Sequence, residues 1–217
     1  MKSRFFGFSV ILVLAIQSLS MAFPEPAVVQ PKGVWTANIR YSQPKQISVK
    51  VPSSLSSKPQ RYWYIILSIT NNTNQDIPFF PAFYLVTDTF KVIPSEKRMR
   101  KVVFDKIKKL HQGTYQFLES LDFVGNKILQ GQDNTRDICV IWPDFDPKAK
   151  NVDMFFSGLS NEIAVIDHPI KKAGGKPKEV YLSKTLQLKY AIGGDERLRA
   201  YAKLAPKIPK HRKWVMR

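Results

Sequence analysis

Apolar and polar positions alternate along most of this chain with a period of two, and over one stretch the period lengthens to that of a helix. Gly33–Tyr41 places Trp35, Ala37, Ile39 and Tyr41 on one face and Thr36, Asn38 and Arg40 on the other, the pattern of a half-buried strand. Gln46–Val51 repeats it more weakly, and the serine-rich stretch Pro52–Pro59 reads as a loop. Arg61–Thr70 is apolar on both faces at its middle and rich in aromatic and β-branched residues, which predicts a central strand. Asn71–Asp76 is turn chemistry, because short polar side chains bond their own backbone there. Ile77–Phe80 and Ala82–Thr87 are expected to return beside the central strand, with Pro78 and Pro81 marking an edge or a bulge. Asp88-Thr89 then turns the chain into Phe90–Ile93, completing an antiparallel meander.

The period changes after Ser95, which can cap a helix from Glu96 to about His111. Met99, Val103, Ile107 and Leu110 recur at helical spacing, Lys97, Arg98, Lys101, Lys106, Lys108 and Lys109 populate much of the rest, and Gly113 ends the helix. A second short helix is expected near Tyr115–Phe123, and the insertion at about residues 95–123 should lie on one end or edge of the β domain. Strands resume at Asp137–Trp142, Val152–Ser157, Asn161–Ile166 and Val180–Ile192, with residues 168–178 as a long exposed turn. Short strands separated by turn signals predict a mainly β sandwich. After Gly193-Gly194, Asp195 is placed to cap a short helix reaching about Leu204. Pro206 and Pro209 then break a basic tail around Trp214, a composition typical of a disordered or interacting arm.

The first residues alter this picture by assigning a compartment. Lys2 and Arg4 precede the apolar run Phe5–Ile16, and Ser20-x-Ala22 supplies a small-residue cleavage pattern. An export signal cleaved after Ala22 is expected, since a dozen apolar residues fall short of the ~20 needed to span a bilayer. Residues 23–32, with Pro24, Pro26 and Pro31, then form an extended leader. The mature chain is expected in a periplasm or outside the cell.

Apolar residues make up 44% and aromatic residues 12% of the chain, enough for a packed core and too much for global disorder. Cys139 is the single cysteine, so no internal disulfide staples the fold, and its apolar surroundings predict a buried strand position. The formal charge is +17, or +15 without Lys2 and Arg4, which favours anionic partners such as acidic polymers or lipid headgroups.

Three stretches carry a resemblance. Tyr62-Trp63-Tyr64 enters the Asn71-Asn72-Thr73 turn, Phe79-Phe80-Pro81 leads to Val86-Thr87-Asp88, and Leu129-Gln130-Gly131 leads to Trp142-Pro143-Asp144 and Phe156-Ser157-Gly158-Leu159. Over residues 33–192, and again at the ending Trp214-Val215-Met216-Arg217, this resembles uncharacterised exported bacterial proteins distantly similar to telokin-like immunoglobulin-fold domains. The resemblance implies an immunoglobulin-like antiparallel β-sandwich carrying a helical insertion and a basic C-terminal tail. The chain departs from antibody-type domains in lacking the cysteine pair.

Candidate chemistry is sparse. Asp133, Asp137, Asp144, Asp146 and Asp153 crowd a short stretch, yet their spacing does not match a calcium loop and Asp144-Phe145-Asp146-Pro147 is ordinary turn chemistry. His111, His168 and His211 stand in no zinc or triad pattern, and His111 reads as a cation near a helix C-terminus. Asn71-x-Thr73 fits a glycosylation acceptor, although a turn already accounts for those residues. No catalytic, cofactor or metal site is assigned, and an enzyme is not expected. The candidate polyanion-binding residues are Arg98, Lys101, Lys106, Lys108 and Lys109 on the helix, with Lys207, Lys210, Arg212, Lys213 and Trp214 in the tail. Signatures of sequence-specific nucleic-acid binding are missing. The expected function is protein contact in the cell envelope, with electrostatic binding of an acidic polymer or anionic lipid as the alternative.

Overall fold

The computed structural model describes residues 23–51, 58–95, 101–168 and 179–217. The expected export signal, most of the serine-rich loop, the start of the helix with Arg98, and residues 169–178 therefore lie outside the described residues. Within them the chain is a mainly β domain with one α-helix longer than two turns.

The central strand predicted from Arg61 onward is β3 (Gln60–Asn71), buried on both faces from Tyr62 on. β1 (Asn38–Tyr41) and β2 (Lys45–Val49) pair in succession with one edge of β3, and β9 (Gly131–Pro143) pairs with the other. β7 (Glu119–Ser120) joins β9 in parallel, where the sequence predicted a second helix. This is sheet 1. In sheet 2, β5 (Ala82–Thr87) lies between β6 (Val92–Pro94) and β10 (Asn151–Ser157). β10 and then β11 (Ile163–Asp167) follow one edge of β12 (Glu179–Ile192). β13 (Leu204–Pro206) and β14 (Arg212–Met216) follow its other edge. β4 (Ile77–Pro78) and β8 (Lys127–Ile128) form a separate small pair.

Alternation explains why two apolar clusters exist. Trp63, Ile65, Leu67 and Ile69 of β3 share the main core with Phe83 and Leu85, with Met154 and Phe156, and with Leu186 and Leu188, so the two sheets meet there. Tyr62, Tyr64 and Ile66 point the other way, into a second cluster with Cys139 and Ile141 that is closed by Val103 and Ile107. Those two belong to α1 (Lys101–His111), so the helix covers the outer face of sheet 1 rather than an end or edge of the domain. An uncovered β3 would leave two tyrosines and an isoleucine in water, which is the physical reason for that placement.

Two expectations are overturned by topology. β5 does not return beside β3: the chain crosses through Ile77–Pro81 to the other sheet, and β9 takes the place beside β3. Alternation is identical in either arrangement, so sequence pattern alone does not separate them. The C-terminal segment is no free arm, because β14 pairs with Lys184–Leu188 and Met216 is buried. The expected short helix is a 3-10 segment, Glu196–Tyr201, whose first turn is capped by the Asp195 carboxylate accepting from the Arg197 amide. Gly158, at φ 85°, lies where a methyl group would collide with the Phe80 carbonyl, so the close approach demands glycine.

Candidate functional site

On α1, Lys101, Lys106, Lys108 and Lys109 are exposed and Asp105 is the sole acid among its described residues. Lys106 Nζ donates to the Ser48 carbonyl at 2.9 Å. The buried face consists of Val103 and Ile107, joined by half-buried Phe104 and His111, while Leu110 is 64% exposed. That corrects the predicted stripe ending at Leu110. The helix is turned so that the His111 ring meets Tyr64 and Tyr115, with Nε2 3.0 Å from the Tyr64 hydroxyl. Burial, followed by the nearby Lys45 charge, lowers the His111 pKa, so this histidine favours its neutral form rather than serving as a helix-terminal cation. The same burial pushes the Tyr64 hydroxyl up to about 12. Val102, Lys106, Lys109 and Leu110 recur at helical spacing along one exposed flank, with Val102 43% exposed.

The tail cations have separate partners. Lys207 Nζ donates to the Asn151 side chain at 3.0 Å, the Arg212 guanidinium lies 5.7 Å from the Tyr41 ring centre, and Lys213 meets Glu25 at 3.4 Å. Lys210 is exposed. Trp214 packs against the main core with Lys184 Nζ 5.6 Å from its ring centre, so its indole is a wall of the fold. The described helix cations lie over the outer face of sheet 1, whereas the strands of the tail belong to sheet 2.

The aspartates are also dispersed. Asp137 accepts from Ser68, Asp144 from Trp63 Nε1 with Arg61 3.2 Å away, Asp146 from the Lys148 amide, and Asp153 from Gln187, while Asp133 is exposed. Among the described residues, no group of three or more histidines, cysteines or acids is placed to hold a metal ion. His211 lies 2.9 Å from the Lys189 carbonyl and edge-on to Tyr190, and His168 follows β11. Cys139 is fully buried, as its apolar run predicted, and burial raises its thiol far above the ordinary range. Asn71 is fully buried: its amide donates to the Gln75 and Ile128 carbonyls and its oxygen accepts from Thr73. In the folded chain this nitrogen is out of reach of a glycosylating enzyme.

A cleft of about 630 Å³ opens between the start of β2 and the 3-10 segment, lined by Pro44, Gln46, Trp63, Tyr201 and Leu204. Gln46 Nε2 donates to the Ala200 and Ala202 carbonyls, tying the cleft's two sides together. Close by, Arg199 is buried with its guanidinium 4.7 Å from the Phe145 ring centre and 5.7 Å from that of Trp63, a structural pin that the sequence did not announce.

An exposed apolar surface lies on the β11–β12 arm. Beyond Ser183, which still bonds Arg217, β12 has only β11 beside it among the described residues. β11 in turn pairs with β12 alone among the described residues. Val165 stands opposite Tyr181, and these two with neighbouring Ile163 share one face at 52%, 64% and 58% exposure. Ala164, Ile166, Val180 and Leu182 form the other face and are only half-buried. Asp167 lies opposite Glu179 on the Val165 face, like charges side by side, and no cation occupies the paired positions of the arm up to Ser183. Alternation predicted these strands, but their exposure follows from their position past the body of the sheet. Comparison of the chain with protein-family models, with curated proteins and with solved structures returns no match.

Proposed function

We propose that this chain is an exported, non-enzymatic immunoglobulin-like β-sandwich that makes protein contacts in the cell envelope through its β11–β12 arm. Strand connectivity supports the fold reading: β1/β2–β3–β9 in one sheet and β6–β5–β10–β12 in the other follow the A-B-E and C′-C-F-G order of such sandwiches. The contact reading is carried by one observation, the side-by-side exposure of Val165 and Tyr181 on a two-stranded ribbon. Isolated hairpins are marginal in water, and contiguous exposed apolar surface marks interaction sites. Crosslinking on intact cells followed by mass spectrometry tests the reading. The Val165→Asp variant should lose neighbours that the unaltered chain captures, and an unchanged set of neighbours would remove the arm from the proposal. Export is tested by N-terminal sequencing, which should begin at Phe23.

A second reading, electrostatic binding of an acidic polymer or anionic lipid, is favoured by the four exposed lysines of α1 beside the single Asp105. Retention on heparin should then weaken steeply with salt and be lost in Lys106→Glu/Lys109→Glu, whereas a packed protein interface is less salt-sensitive.

A further inference from the structure

We propose that a small cavity beside Arg199 binds a phosphate group. The cavity lies at the Ile192 end of β12, the opposite end of that strand from the arm, and is separate from both surfaces proposed above. Arg199 is only 6% exposed, yet its guanidinium forms no ion pair with a described acid. Nη1 and Nη2 donate to the Ala149 and Asp146 carbonyls at the long distances of 3.3 and 3.5 Å, and the buried Nε–H has no acceptor. The acids whose charge reaches it are engaged elsewhere. Asp144 meets Arg61 and Trp63, Asp146 accepts from the Lys148 amide, and Asp88 accepts from the Lys150 amide and Asn151. Phe145 and Trp63 offer the cation ring faces but no counter-charge. A guanidinium keeps its charge in a protein, and its burial without a counter-ion is strongly unfavourable, so an anion is the missing part of this site.

The cavity has room for such a group. Its volume is about 190 Å³, and Arg199 lines it together with the exposed Lys148 and Lys150 and the Gly193-Gly194 turn. Pockets for drug-sized ligands begin at ~300 Å³, so a compact ionic group fits here where a larger organic molecule does not. Asp195 and Glu196 also line the cavity, but the Asp195 carboxylate is turned to the Arg197 amide, and three cations outnumber the two acids. Arg199 contributes from the buried side and the lysines from the mouth. Donors on more than one side suit the several oxygens of a phosphate better than the planar pair of a carboxylate, and guanidinium and ammonium groups are the side chains that hold phosphate.

Inorganic phosphate and vesicles containing phosphatidic acid are the two probes, each titrated into the full chain at constant ionic strength. Phosphate should shift the Arg199 Nε–H resonance downfield and slow its exchange with water, and acetate at the same concentration should not. Lys148→Gln/Lys150→Gln should weaken phosphate affinity by about fivefold, while Glu196→Gln should tighten it. These three positions are exposed, so both variants are expected to fold, and matching thermal melts check that. Arg199→Met should abolish the rise in melting temperature that phosphate gives the unaltered chain. Binding of the free ion makes a soluble phosphate the ligand's source. Binding of vesicles alone, weakened in the double lysine variant, makes the source a lipid headgroup. Silence toward both probes overturns the site, as does a response that acetate matches or that the double lysine variant leaves unchanged.

Discussion

Glu162 and Lys184 form an ion pair at 2.7 Å with side chains only 9% and 7% exposed. It sits where the chain passes from β10 to β11, at the root of the arm, and Glu162 also accepts from the Ala27 amide at 2.6 Å. One carboxylate thus joins the N-terminal leader to sheet 2. Removing a single partner strands a buried charge, so Glu162→Ala should lower unfolding free energy by about 3–5 kcal/mol. Replacing both with apolar residues, Glu162→Leu with Lys184→Met, should restore most of that loss in urea titration. Burial acts to raise the Glu162 pKa, but hydrogen bonds from Lys184 and the Ala27 amide, with the lysine charge, outweigh it and leave the pKa lowered. The pair's contribution is therefore complete above the ordinary value of 4.5 and is lost as pH falls through the lowered native value.

His111 also loses its contribution in acid, but because burial favours its neutral form. Its pKa is lowered from 6.5, so the folded chain binds fewer protons there than the unfolded chain. Its contribution to stability is full above 6.5 and falls as acid protonates the ring against Tyr64 and the nearby Lys45. The urea midpoint should drop as pH falls through 6.5 and below, and His111→Phe, which keeps the ring packing, should flatten that part of the profile.

Phe90 occupies a left-handed backbone position at φ 60° on the β5–β6 turn and is 92% exposed. Its amide donates to the Thr87 carbonyl, and the Lys91 amide to Thr87 Oγ1, so the turn holds the conformation whatever side chain occupies it. Asparagine tolerates this region far better than a bulky aromatic residue. Phe90→Asn should therefore stabilise the domain by about 1 kcal/mol, read as a higher urea midpoint with an unchanged slope. A loss of stability would mean that the phenyl ring makes contacts the exposed geometry does not include.

Deleting residues 212–217 separates a packed strand from a free arm. It removes the partner of Lys184–Leu188, the buried Met216 and the Trp214 wall of the core. The cost should be at least about 3 kcal/mol, the scale of losing one large core side chain. A dispensable tail would leave the melting temperature unchanged.

Legibility followed the range of the interactions involved. The strand around Trp63 and Ile65, the buried Cys139 and the capping by Asp195 were readable because each depends on neighbours close in sequence. The β11 and β12 strands were readable for the same reason, although the exposure of Val165 and Tyr181 was not. The crossing of β5 to the second sheet, the pairing of β14 with β12 and the turning of Leu110 out of the helix contact were hidden. An apolar face records that something covers it and carries no record of what does.

Local chemistry thus accounts for the period of each segment, its turns and its excess of positive charge. Long-range packing accounts for which side chains are exposed and which are closed off. It fixed which lysines lie together, drew Trp214 into the core, closed Asn71 to modification and left the arm uncovered. The reason is that burial belongs to pairs of distant segments, and the free energy of covering apolar surface is the same whichever segment supplies the cover.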